Sequence, residues 1–356
     1  MDNKNAVILI TGVSGRIGSS CAALFSKKYQ VVGFDVIEPK QEMAHVAFFN
    51  VDLTSDQSVR AALQKVKEKY GNYICSVIHL AAYYSFSKGS WNLYEKITIQ
   101  GTERLIKSVQ DFKVDQFIFS STMLVYAPCK VGKKIHEQSK VEPKWDYPLS
   151  KVKTEEIIHK NRGSISTVIL RISGVYDDLC HSIPISNQIQ RIYEKQLESH
   201  LFPGDITHGA SFLHMHDLVS AIELAVEKRK ELPAEVMVVL GEPETLSYDE
   251  MQKEIGQLLY HKSWKTFKVP KWFAKMGAYF QDKLPFVKKS FIKPWMIDIA
   301  DDHYELDVSR AKEILGWQPR YAVRSSLKRM IGELKKDPKK WYLENLFKLP
   351  KSFPKL

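Results

Sequence analysis

Tyr147 and Lys151 stand four residues apart in a stretch that reads as helix, so a phenol and an ammonium share one helical face. A phenol that titrates near about 10 is a poor base at neutral pH. A neighbouring ammonium stabilises the phenolate, and the phenol can then take the proton of an alcohol. Thr122 follows the apolar, serine-rich run Gln116–Ser121, where its hydroxyl can polarise the same alcohol oxygen; Ser121 is the alternative. Oxidising the alcohol also requires somewhere for a hydride to go, so these residues need a redox cofactor beside them.

The N-terminus supplies a cradle for one. Thr11-Gly12-Val13-Ser14-Gly15-Arg16-Ile17-Gly18 follows the apolar run Ala6–Thr11 and opens a helical pattern. Gly12 lets the chain turn, Gly15 lets the backbone approach a pyrophosphate, and Gly18 lets helix and strand pack closely. Arg16 and Ile17 begin the helix, whose free N–H groups and positive dipole end favour phosphate. Asp35 ends the second apolar run, 17 residues after Gly18. A carboxylate there accepts the ribose hydroxyls of NAD and repels the 2′-phosphate of NADP. Arg16 could hold that phosphate, but the carboxylate is expected to dominate, so NAD is the expected cofactor. Asp52 is read as ending the third run, beside the adenine, with Leu53 next to it. The fourth run ends in His79-Leu80-Ala81-Ala82, whose small residues let the chain pass close to the cofactor.

These residues demand a scaffold that alternates strands and helices. The apolar runs Ala6–Thr11, Val31–Asp35, Val46–Asp52, Ser76–Leu80, Gln116–Ser121 and Thr167–Arg171 are separated by amphipathic stretches such as Ser55–Tyr70 and Trp91–Phe112. Near-continuous apolar strands between helices mean a parallel sheet covered on both faces. The expected fold is α/β, a Rossmann-type doubly wound parallel sheet with a smaller C-terminal α/β substrate region. Residues 1–176 are expected to form the NAD-binding domain, and 177–356 mainly the substrate region, with some segments returning to the sheet. Helices are expected over Ile183–Leu197, Tyr248–Leu259 and Val323–Lys336, a strand over Val236–Leu240, and a polar, proline-punctuated end.

The composition is that of an ordinary globular protein, with 44% apolar and 26% charged residues. Cys21, Cys75, Cys129 and Cys180 are far apart, which argues against a zinc site or a disulfide framework and fits a reducing compartment. No signal peptide precedes the first strand and no run is long enough to span a membrane, so a cytoplasmic location is expected. The net charge of +11 is uneven: residues 262–356 hold 22 Lys and Arg against 10 Asp and Glu, and the rest is near neutral. A near-neutral body with a basic tail, and no motif behind it, argues against nucleic-acid binding.

Taken in order, the motifs resemble the extended short-chain dehydrogenases, the NAD-dependent epimerase/dehydratase family. They are Thr11–Gly18, Asp35, Asp52-Leu53, His79–Ala82, Ser120-Ser121-Thr122, Tyr147 with Lys151, and Leu170-Arg171 through Val175-Tyr176. A later stretch, Asp307–Lys312 through Leu315–Pro319, is also typical of it. The resemblance spans about residues 6–332. It implies an NAD-dependent enzyme with Thr122, Tyr147 and Lys151 as catalytic residues, no metal, and a homodimer. Candidates for contact with the small-molecule substrate are Tyr83, Ser121, Thr122, Ser173 and His214.

Two departures bear on the substrate. Members acting on nucleotide sugars carry an arginine near the position of Ala210, and without it a diphosphate is poorly held. Asp177-Asp178 replaces a Gly-Pro pair and either places two acids near the substrate or forms a solvated turn. His181, His208, His214 and His216 are read as core or hydrogen-bonding histidines. Residues 262–294 hold nine lysines, Asp282 as their only acid, and eight aromatics that include Trp272 and Phe273. That composition fits either an anionic membrane surface or a helix packed on the substrate region. The readings left open are hydride transfer on a sugar-like or sterol-like alcohol or ketone, a sterol-dehydrogenase-like enzyme at a membrane surface, and a non-catalytic NAD-binding regulator.

Overall fold

The computed structural model describes residues 3–39, 43, 45–85, 89–283, 294–350 and 353–354. The strands are β1 (Asn3–Thr11), β2 (Tyr29–Asp35), β3 (Val46–Asn50), β4 (Tyr73–His79), β5 (Lys113–Val114), β6 (Gln116–Thr122), β7 (Ser166–Ile172), β8 (Gly174–Tyr176), β9 (Leu201–Pro203), β10 (Phe212–His214), β11 (Glu235–Leu240) and β12 (Phe267–Val269). Eight form one sheet in the order β11-β7-β6-β4-β1-β2-β3, with β5 beside β4. Every pairing in it is parallel. Apolar residues on both faces make this possible. In β1, Ile8 and Ile10 enter one core while Val7 and Leu9 enter the other.

Helices make the crossovers. They are α1 (Arg16–Phe25), α2 (Asp56–Tyr70), α3 (Trp91–Leu93), which runs through a π-helical segment Tyr94–Gln100 into α4 (Gly101–Ser108), and α5 (Asp146–Asn161). Ser55 caps α2 by accepting the Ser58 N–H at 3.2 Å. Beyond β7 come α6 (Ile183–Tyr193), α7 (Met215–Glu227), α8 (Tyr248–Tyr260), α9 (Lys271–Lys283), α10 (Pro294–Asp298), α11 (Ser309–Leu315), α12 (Val323–Lys336) and α13 (Pro338–Glu344).

The chain winds outward from β1 through β2 to β3, then returns to β4 on the other side of β1. The crevice at that switch point, at the carboxyl ends of the strands, is where such sheets bind ligands. Thr11, His79 and Thr122 end three neighbouring strands there.

The second half is divided between two cores. Leu218 and Ala221 of α7, Val236 and Leu240 of β11, and Ala311 and Leu315 of α11 belong to one core of the large sheet. Ile185, Ile255, Leu327 and Trp341, from α6, α8, α12 and α13, share a separate one. The polar end expected after α12 is instead partly helical. Asp337 caps α13 by accepting the Lys340 N–H at 2.9 Å, and Trp341 and Tyr342 are buried against the second core. Three consecutive apolar residues, Trp341 to Leu343, in a charged sequence show no helical periodicity to announce that helix. The four cysteines are free, and all but Cys129 are buried.

Candidate active site

The glycine loop is built by absence of side chains. Gly12 has φ of +72°, and a Cβ there would sit 2.9 Å from the Ala81 nitrogen. A Cβ on Gly18 would lie 2.1 Å from the Gly12 carbonyl oxygen. Gly15 has ordinary extended backbone, so a side chain there costs room above the loop rather than strain. No side chain caps α1, so its first N–H groups stay open to an anion. Asp35 lies beside this opening: it accepts the Ser14 N–H at 3.0 Å and the Ile37 N–H at 3.2 Å. Its remaining lone pairs can take ribose hydroxyls. These features fit a dinucleotide.

Several expected cofactor contacts sit differently. β3 ends at Asn50, so Asp52 lies two residues past it, exposed, with its carboxylate accepting the Thr54 N–H at 2.8 Å. An Asx-type turn has claimed the residue that apolar pattern assigned to the strand. Leu53 is buried in the core, so only its backbone is available to a ligand, and its carbonyl already accepts Arg104 at 2.6 Å. Arg16 turns toward α13. Its guanidinium donates to the Glu344 carbonyl at 3.3 Å and lies 3.9 Å from the Glu344 carboxylate.

His79 fixes the loop that holds Leu80, Ala81 and Ala82. Its Nδ1 lies 2.7 Å from Thr11 Oγ1 and its Nε2 lies 2.7 Å from Thr102 Oγ1. Thr102 donates to the Thr98 carbonyl, so it accepts from Nε2–H; Thr11 accepts the Ala81 N–H, so it donates to Nδ1. This assigns the Nε2–H tautomer. Burial, with help from the Lys151 charge, pushes the imidazole down to about 3, so His79 is neutral.

Tyr147 and Lys151 occupy the first turns of α5, which packs over β6. Lys151 is buried, donates to the Ser120 carbonyl at 2.7 Å, and lies 5.8 Å from the centre of the Tyr147 ring. Burial lowers its ammonium to about 7, opposed by Glu155 one turn away. Burial pushes the Tyr147 phenol well above its usual value, the neighbouring Tyr84 adds to this, and the Thr122 hydroxyl works against it. Thr122 therefore faces the phenol. Ser121 donates to Glu155, two turns further along α5 than Tyr147, so its hydroxyl is engaged away from the phenol.

The other substrate candidates separate. Tyr83 packs on Tyr94, ring centres 4.9 Å apart. The ring that meets Tyr147 is its neighbour Tyr84, edge to face at 4.8 Å. Ser173 follows β7, with a buried hydroxyl that has no hydrogen-bond partner among the described residues. His214 is 1% exposed, caps α7 by accepting the His216 N–H at 3.2 Å, and stacks on Tyr321 at 4.0 Å. It is a helix cap, not a surface open to substrate. Trp145 and Trp295 complete an aromatic wall: Trp145 lies 5.4 Å from Tyr147 and 5.4 Å from Trp295. No spacing in the sequence links Trp295 to Tyr147.

Asp177 and Asp178 open a turn, closed by the Cys180 N–H donating to the Asp177 carbonyl at 2.9 Å, and both carboxylates are paired. Asp177 holds the His181 ring at 2.5 Å. Asp178 pairs with Arg329 at 2.7 Å. His181 also reaches Glu344 at 3.3 Å, and Gly209 donates to His303 at 3.0 Å. Ala210 bridges Tyr304 through its backbone.

A model of the NAD-dependent epimerase/dehydratase family matches residues 8–241. The UDP-glucuronate 4-epimerase of Thermodesulfobacterium geofontis is 24% identical, over 95% of this chain and 96% of its own. The 3 beta-hydroxysteroid dehydrogenase/Delta 5→4-isomerase of vaccinia virus strain Western Reserve is 21% identical, over 91% and 97%. Among solved structures, UDP-glucuronic acid 4-epimerase from Bacillus cereus, with UDP-glucuronic acid and NAD, superimposes with a TM-score of 0.70 at 22% identity. That match covers 93% of this chain and 99% of the other. With its sheet order, glycine loop and tyrosine–lysine pair, this chain belongs to the NAD-dependent epimerase/dehydratase family.

Proposed function

We propose that this chain transfers hydride between NAD and a secondary alcohol or ketone, with Thr122, Tyr147 and Lys151 as its catalytic residues. The observation that carries this is Tyr147 beside the Thr122 hydroxyl and the Lys151 ammonium, at the same sheet edge as the glycine loop. NAD, held by Gly12–Gly18 and Asp35, would accept or return the hydride. Thr122 holds the substrate oxygen, Tyr147 takes its proton, and Lys151 favours the phenolate. Proton removal and hydride loss open both epimerisation and dehydrogenation.

The wall of Tyr84, Trp145 and Trp295 around the phenol, with Ala210 at the position of the expected arginine, favours an uncharged ring face over a diphosphate. It supports a sterol-like alcohol as the second reading, as does the likeness to the viral hydroxysteroid dehydrogenase. The finer parts of the reading are a homodimer and contact of 262–294 with a membrane. The test is titration of nicotinamide fluorescence with NADH and NADPH, followed by NAD reduction with sterol and sugar alcohols. Binding of neither nucleotide sinks the reading. A Tyr147→Phe variant that keeps full cellular activity would favour the non-catalytic regulator instead.

A further inference from the structure

The C-terminal half carries an apolar surface that the chemistry at Tyr147 does not use. α9 exposes 65% of Trp272, 52% of Phe273 and 47% of Met276. Positions 272, 273 and 276 share one helical face. The Trp272 and Phe273 rings meet edge to face at 5.9 Å, yet both remain in water. The strand entering the helix, β12, adds Phe267, 58% exposed, whose register partner on β9 is the exposed Leu201. Exposed apolar clusters of this kind on a soluble domain mark contact sites.

The charge beside them has one sign. Lys262, Lys265 and Lys268 are exposed, and the sequence from 262 to 281 contains no acid. The acids that pair with this segment come from elsewhere in the chain: Asp205 holds Lys268 at 3.0 Å, Asp298 holds Lys275 at 2.5 Å, and Asp301 holds Lys271. An aromatic apolar face on a short helix flanked by lysines is the composition of a helix that lies in a membrane interface. Lysine favours an anionic leaflet.

The same ion pairs tie α9 to the catalytic cleft. Lys271 donates to the Asp298 carbonyl at 2.8 Å and thereby fastens α9 to α10. Trp295 of α10 packs on Trp145, which packs on Tyr147. The exposed face and the phenol thus stand at opposite ends of one connected series of side chains.

We propose that α9 docks this protein on an anionic phospholipid surface, with Trp272, Phe273 and Met276 among the headgroups and the exposed Lys262 and Lys265 against the lipid charges. The docking itself needs no turnover. Its consequence, entry of a lipid-like alcohol to Tyr147 from the bilayer, rests on the proposed alcohol chemistry.

Flotation of the full chain with vesicles tests it. Binding is expected to vesicles of phosphatidylcholine mixed with phosphatidylserine. It should weaken about tenfold with phosphatidylcholine alone or in high salt. Trp272→Ala with Phe273→Ala should lower binding to the mixed vesicles by about tenfold or more, while turnover of a water-soluble alcohol is unchanged. Tyr147→Phe should float like the parent, which separates failure of the docking from failure of the chemistry. Absence of flotation with mixed vesicles overturns the proposal. So does equal flotation of the parent and the Trp272→Ala, Phe273→Ala variant. A stable dimer that the double substitution dissociates would assign the face to a second copy and overturn it as well.

Discussion

Glu155 and Arg171 form a buried two-pronged ion pair one helical turn below Lys151, with Nε to Oε1 at 3.2 Å and Nη2 to Oε2 at 2.6 Å. Arg171 also lies over the Tyr126 ring at 4.7 Å, and Ser121 donates to Glu155. The pair holds α5 on β7 and sets the charge beneath the lysine. Glu155→Gln leaves the guanidinium buried without its counter-charge, which should cost about 3–5 kcal/mol in urea unfolding. It also removes the carboxylate that keeps Lys151 protonated, so the pH profile of turnover should move down. A loss under about 1 kcal/mol, below what breaking a buried pair costs, would contradict this.

Substitutions at the phenol should separate chemistry from binding. Tyr147→Phe is expected to lower kcat by about 100- to 10,000-fold and leave NADH affinity near the parent value. Thr122→Val removes the donor to the substrate oxygen and should cost about 100-fold or more. Lys151→Met should abolish turnover in a chain that still folds, since the ammonium it removes is buried and already lowered to about 7. Steady-state kinetics with fluorescence titration distinguish these effects from a folding defect.

Cofactor choice should follow Asp35 and Glu344. Asp35→Asn removes a charged acceptor, and NADH affinity should fall about 10- to 100-fold. Glu344→Ala releases Arg16 from its side-chain ion pair and should raise NADPH affinity relative to NADH. An unchanged ratio would show that Arg16 does not reach the ribose. Gly18→Ala should prevent folding or nucleotide binding altogether, because its Cβ would meet backbone.

His79 should make the fold acid-sensitive. Its folded value of about 3 lies below the ordinary imidazole value of about 6.5, so the unfolded chain binds the extra proton between them. Its contribution is present above about 6.5 and is lost as pH falls toward 3, at up to about 1.4 kcal/mol per pH unit. His79→Gln should flatten that slope in denaturation measured between pH 7 and 5. It should also loosen the Ala81 loop and weaken NADH. An equal slope in both proteins would place the acid sensitivity elsewhere.

Local pattern was enough for the parallel sheet, the glycine loop, Asp35 and the pairing of Tyr147 with Lys151. Each depends on neighbours a few residues apart: strand alternation, helix spacing, or a turn that only glycine allows. Ser121 and Thr122 were adjacent and chemically alike, and only the packing of α5 on β6 decided that one meets Glu155 and the other Tyr147. The same holds for Tyr83 and Tyr84. His214 became a buried cap because α7 begins at the next residue, a boundary that composition does not mark. Trp295 reached Trp145 beside the phenol, and Glu344 reached Arg16, across 150 and 328 residues of chain. Such contacts arise from how the second half folds back over the first sheet, so the catalytic pair was legible in the sequence, whereas the walls of its cleft were decided by tertiary packing.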